Sequence, residues 1–289
     1  MLRAEPLRSP AVQSALEAAL TAKRAHWDFF AVLCRLSGLP GPRFNEALAV
    51  AVGRAIEAQG ARGEALVQEL CSVDARRAPA GTDGEFLPLV GAFCRAVQVA
   101  SGRSRDAALA SLRALAEDER HLVREGVVHA LAEVGAEDLV LLLAQWTDGY
   151  LAATVALQAL TRRSCLDALR DGAGVVARFE EAFALAEGAS RSDQRSQGYR
   201  ALVKVLSEAP ARLLSRFPRD TLAWLESKAA TSDVELREAL SELTRRARSR
   251  GQATDNIGAV EQALDASAPA RRDPKTYVGP TRKRGSRRR

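Results

Sequence analysis

SRDAALASLRALAEDERHLVREGVVHALAEVG, residues 104–135, holds two sets of apolar residues on either side of a polar turn. Leu109, Leu112 and Leu115, and then Val123, Val127, Val128 and Leu131, recur at three- and four-residue spacing. That period places each set on one face of an amphipathic helix. Asp118, Glu119 and Arg120 fall between the two sets, where a tight turn is expected. A second stretch, EDLVLLLAQWTDGYLAATVALQALTRR (137–163), follows with almost no loop between. Its Asp148 stands 30 positions after Asp118, and its Ala159-Leu160 stand 29 after Ala130-Leu131. Helix pairs repeating at about 30 residues bury their apolar faces by stacking on one another, which predicts a solenoid.

The acidic turn residue Asp118, then Val123-Arg124 opening the second helix, then Ala130-Leu131 and the closing Gly135, resemble the HEAT repeat. A later segment, LAWLESKAATSDVELREALSELTRRA (222–247), sets Asp233, Leu236-Arg237 and Leu243 in similar places, with a turn-to-arginine spacing two residues shorter. The resemblance covers residues 104–160 and 218–247. It implies an all-α, right-handed α-solenoid of stacked antiparallel helix pairs and a binding or scaffolding role more often than catalysis. It also implies that Asp118 and Arg124 cap helices and bond across to the neighbouring repeat.

Composition agrees with the periodicity. The chain has 289 residues, 47% hydrophobic but only 5% aromatic, and Ala, Leu, Glu and Arg dominate. These are strong helix formers, and no alternating strand pattern competes with them. The first ten residues, MLRAEPLRSP, lack the apolar core of a signal peptide, and Gln145, Asp148 and Gly149 interrupt the longest apolar passage, 139–160. A bilayer span needs about 20 predominantly apolar residues, so the expectation is a cytoplasmic protein without a membrane role. Cys34, Cys71, Cys94 and Cys165 sit among apolar neighbours with no zinc-ligand spacing, and read as buried free thiols.

Outward from the repeats, Ser9-Pro10 opens a helical pattern that runs to Gly38 as one long helix or a kinked pair, and LPGPR (39–43) makes a turn. Helices are expected over 44–59, 64–73 and 86–100, with a polar loop at 74–84. Beyond the second repeat, helices are expected within 161–171, 172–187, 199–206, 209–217 and 255–266, with a break at 188–197. The domain reading is a helical solenoid over 1–266 and a basic, disordered tail over 267–289.

Charge points to a partner. Residues 271–289 hold nine Lys or Arg against Asp273, a balance of +8 in a chain whose net charge is +6, which leaves the rest at −2. Closely spaced cations are what a phosphate backbone attracts, with little sequence preference and strong salt dependence. The candidate contacts are Arg271, Arg272, Lys275, Tyr277 as a stacking ring, Arg282, Lys283, Arg284, Arg287, Arg288 and Arg289. The partner expected is nucleic acid through the tail, a protein on the solenoid surface, or both.

No nucleophile elbow, phosphate loop, dinucleotide fingerprint or metalloprotease motif is present, and neither a cofactor nor a metal is expected. His121 and His129 are eight apart on one helix, about 12 Å, too far to share a metal. His26 has no nucleophile beside it in sequence. The one enzymatic alternative comes from the resemblance: HEAT-like proteins of bacteria include DNA glycosylases that remove alkylated bases with an aspartate beside tryptophans in a basic concave groove. Trp146 and Asp148 are the residues this would use, with Tyr150 and Trp224 further along. Two positions on one helix are about 200° apart, so a shared helix would turn Trp146 and Asp148 to different faces. The mild acidity of the body also weighs against a groove that cradles DNA.

Overall fold

The computed structural model describes residues 9–21, 26–252 and 254–267. The helices in chain order are α1 (Pro10–Thr21), α2 (His26–Leu36), α3 (Glu46–Glu57), α4 (Glu64–Cys71), α5 (Phe86–Ser101), α6 (Arg105–Ala116), α7 (His121–Ala130) and α8 (Ala136–Leu142). They continue as α9 (Tyr150–Leu160), α10 (Arg163–Ala168), α11 (Ala173–Glu187), α12 (Gln197–Glu208), α13 (Pro210–Arg216), α14 (Pro218–Lys228), α15 (Val234–Ser249) and α16 (Thr254–Ala266). No strand occurs among the described residues, so the class is all-α.

Local chemistry sets the boundaries. Asn45, Ser196 and Asp233 each accept a hydrogen bond from the backbone N–H three residues on, capping α3, α12 and α15. Pro210 and Pro218 open α13 and α14, where a missing N–H costs nothing. Gly102 ends α5 at φ 79°, a left-handed turn that glycine adopts without strain. The region 10–36 is two helices packed face to face, α1 on α2, rather than one continuous helix. In the second repeat the first helix stops at Leu142 and tightens into a 3₁₀ turn over Leu143–Trp146. Thr147 sits at its end, donating to Ala144 O and to Glu181, a side-chain competitor that favours termination.

Helix α5 is the hub of the amino-terminal half. Every residue from Phe86 to Val99 is buried, because α2, α3, α4, α6 and α7 surround it. Small residues permit the close approach: a Cβ at Gly53 of α3 would lie 3.1 Å from the Phe93 carbonyl carbon, and one at Gly126 of α7 would lie 2.6 Å from Leu89 Cγ. The cation within α5, Arg95, donates through Nη1 and Nη2 to Glu64, Gln68 and Gln98 at 2.7–2.9 Å.

From α5 onward the helices form rows. α3, α5, α7, α9, α12 and α15 pack each on the next, and α8, α11, α14 and α16 do the same in a second row behind them. Two short helices, α10 and α13, bridge first row to second at one edge and pack on each other. At the opposite edge lie the turns 117–120, 147–149 and 229–233.

The bond across units that the resemblance assigns to Asp118 and Arg124 is carried by the residue between them. Arg120 is 3% exposed and donates to Val73 O at 2.8 Å and Ala78 O at 2.9 Å, in the loop after α4. The Asp118 carboxylate orients it at 2.6–2.8 Å, and that bond holds the guanidinium above its ordinary pKa. Arg124 instead closes its own turn, donating to Asp118 O and Glu119 O at 2.5 and 2.9 Å.

Candidate nucleic-acid interface

The tail candidates Arg271, Arg272, Lys275, Tyr277, Arg282, Lys283, Arg284, Arg287, Arg288 and Arg289 lie outside the described residues. The last described residue, Ser267, is fixed beside the turn between α14 and α15. Its hydroxyl donates to Ala229 O at 2.6 Å and accepts from Arg237 Nη1 at 2.7 Å.

Trp146 and Asp148 share a cavity of about 710 Å³ between α6 and the 143–148 segment, with Asp106 and Arg113 on its other wall. They do not share a helix: Trp146 closes the 3₁₀ turn and Asp148 lies in the loop before α9, so the expected divergence of two helical positions does not apply. Their environments differ. Trp146 is 4% exposed and belongs to the core. Asp148 is open to solvent and paired with Arg113, which also donates to Gln145 O at 2.6 Å. Burial lowers the Arg113 pKa, but its bonds to Asp148 and Glu117 outweigh that and raise it overall. The Asp148 carboxylate is thus committed to a fixed cation. Tyr150 stacks edge-on against Tyr199 at 5.8 Å, and Trp224 is buried between Phe179 and Phe183, so neither lines this cavity.

Each histidine meets a carboxylate: His26 bonds Glu69, His121 lies 3.8 Å from Glu125, and His129 lies 2.8 Å from Glu46. Among the described residues no cluster of His, Cys, Asp or Glu is placed to hold a metal ion. The four thiols are free. Burial pushes Cys34, Cys71 and Cys165 up to about 11, and Cys94 higher still. A thiol with so raised a pKa is a poor nucleophile at neutral pH.

A second cleft, about 300 Å³, crosses the first row from α7 over α9 to α12. His121, Glu125 and His129 of α7 form one wall, and Glu208 and Arg212 form the other, with Arg162 between. Glu208 is engaged by Arg246 at 3.3 Å. Arg162 and Arg212 are in ion-pair reach of no carboxylate among the described residues. Two cations in one cleft, neither held by an ion-paired carboxylate, are a ready anion contact. Sequence reasoning did not single them out. They stand 50 positions apart, and the packing of α9 on α12 and of α10 on α13 brings them together. The signal that could have found them is the run TRR at 161–163, where α9 hands over to α10.

No helix among the described residues is long and apolar enough to cross a membrane. No protein-family model, no curated protein and no solved structure matches the chain.

Proposed function

We propose that the chain is a non-enzymatic, HEAT-like binding protein that engages nucleic acid, or a protein bound to nucleic acid, with its helical surface and its basic tail. The observation that carries this reading is the cleft across α7, α9 and α12, where Arg162 and Arg212 stand without carboxylate partners. The +8 balance over 271–289 supports it by supplying long-range attraction and a larger capture radius.

The test is a salt titration of binding to duplex DNA, single-stranded DNA and RNA. The full chain is compared with a variant in which Arg282, Lys283 and Arg284 are glutamine. Binding that falls steeply with salt, and is weakened in the variant, is the expected outcome; no binding to any of the three at low salt would overturn the reading.

One observation favours the glycosylase alternative: Trp146 and Asp148 line the same cavity. Against it stand the burial of Trp146 and the Arg113 pair on Asp148. Release of a methylated base from duplex DNA, lost on Asp148→Asn, would establish catalysis. An unchanged background rate assigns Asp148 to the Arg113 pair alone.

A further inference from the structure

We propose that the edge of the fold carried by α10, α13 and the end of α15 is a built track for the phosphate backbone of duplex DNA. The proposal deepens the nucleic-acid reading above, and rests on it, by naming the surface that makes the folded contact.

Three separate segments supply this edge. Residues 161–172 bring Arg162, Arg163 and Arg170 with Asp167 and Asp171; residues 209–219 bring Arg212, Arg216 and Arg219 with no acid. Residues 245–252 bring four more arginines, again with no acid. Within these segments ten arginines face two aspartates; with the adjoining Asp220 and the paired Glu208, Glu242 and Glu261 counted as well, the edge keeps a balance of +4. The body's −2 therefore conceals a separation of charge, since the remainder of residues 1–270 carries −6. A body of nearly neutral total charge is compatible with a positive edge, and DNA held at that edge does not meet the acidic remainder.

The segments are adjacent in space. α10 packs on α13, and α13 packs on α15. Gln252 bonds Ser215 of α13, and a Cβ at Gly172 would lie 2.8 Å from that of Phe217. A shallow cavity of about 280 Å³, bounded by Arg163, Asp167, Arg212, Ser215 and Arg216, opens between α10 and α13. Arg216 is held there, its guanidinium 4.7 Å from the Phe217 ring and its Nη2 3.3 Å from Leu169 O.

The pairing pattern separates ligand contacts from structural ones. Arg245, Arg246 and Arg248 are tied to Glu242, Glu208 and Glu261 and stiffen the end of α15. Arg162, Arg170, Arg212, Arg216, Arg219 and Arg250 have no carboxylate in ion-pair reach among the described residues. Unpaired like charges gathered on one edge repel one another, and a polyanion removes that repulsion.

Geometry favours a nucleic-acid backbone over an acidic peptide. The positive residues of the edge are all arginine, whose planar fork matches phosphate oxygens in pairs. They recur from one helix unit to the next, and packed helices stand about 8–10 Å apart. Three base steps of B-form DNA rise about 10 Å, so successive units meet one strand at every third phosphate.

The experiment measures affinity of the full chain for a mixed-sequence DNA duplex across about 50–200 mM salt. It uses the unmodified chain, the variant R162Q/R212Q/R216Q, the same three positions as lysine, and the exposed pair R170Q/R250Q. Each phosphate contact contributes about 0.9 to the slope of log affinity against log salt, so the first variant lowers the slope by about 2–3 and the exposed pair by about 2. Affinity falls at least about tenfold in the first variant at the lower salt, and the lysine variant restores the slope. If both glutamine variants keep the slope and affinity of the unmodified chain, the edge proposal is wrong and the tail carries the binding. If the unmodified chain does not bind duplex at low salt, the nucleic-acid reading falls and the edge proposal falls with it.

Discussion

Arg54 on α3 and Glu133 in the turn after α7 form a two-pronged ion pair between residues 79 positions apart, with Nε and Nη2 at 3.1 and 2.9 Å from Oε2. Both helices flank α5, so the pair ties together two members of the first row that are separated by a third. Glu133 keeps 12% of its side-chain exposure and Arg54 24%, so the pair is shielded enough to matter. Arg54→Ala is expected to destabilise the fold by about 1.5–3 kcal/mol, the range for hydrogen bonds to charged groups. Urea denaturation in a double-mutant cycle with Glu133→Gln checks it; additive effects would mean that the two residues do not interact.

Arg120→Met removes a buried guanidinium, leaves Val73 O and Ala78 O without that donor, and leaves the Asp118 carboxylate with only the backbone N–H of residue 120. The expected loss is about 3–5 kcal/mol, the cost of breaking one side of a buried charged network. Arg124→Met strands only carbonyls of its own turn and should cost less. Thermal denaturation of the two variants side by side gives the order.

Gly126→Ala tests the close approach of α7 to α5. The added methyl would have to displace Leu89, which is fully buried. Overpacking of about 1–3 kcal/mol exceeds the gain of up to about 1 kcal/mol from alanine's helix propensity, so the net effect is destabilising. A melting temperature equal to or above that of the unmodified chain would show that α5 and α7 have room to spare.

The thiols give the pH dependence. Their folded pKa values stand above the ordinary 9.0, at about 11 for Cys34, Cys71 and Cys165. Above pH 9 the unfolded chain has lost these protons while the folded chain still binds them. Stability from this source is complete below 9 and declines as pH rises through 9 to 11. Denaturation midpoints measured over that window should fall. At pH 8 a thiol reagent should label Cys94 slowly in the native protein and quickly in urea.

Much of the fold was legible because its helices announce themselves locally. The apolar period acts within four residues, a range that sequence carries directly, and the caps at Asn45, Ser196 and Asp233, found only in the structure, act at the same range. The hub role of α5 was less legible. A helix over 86–100 was expected, but burial on every side depends on five partner helices that sequence does not align. The site was harder still. Tail positions could be counted, whereas Arg162, Arg212 and Arg250 acquire meaning only once α10, α13 and the end of α15 are adjacent. Net charge of the body misled because it averages an arginine edge with an acidic remainder.

The burial of α5 on every side also divides the molecule by how it can change in length. Around α5 each helix touches a common centre, so inserting or deleting a helix pair there would open the core. From α9 to α15 each member of the row meets its neighbours alone, and a whole unit with its short bridging helix could be gained or lost while the ends still fit. Relatives of this chain should accordingly vary in unit number on the carboxy-terminal side of α7 and hold a constant count before it, lengthening or shortening the arginine edge without disturbing the hub.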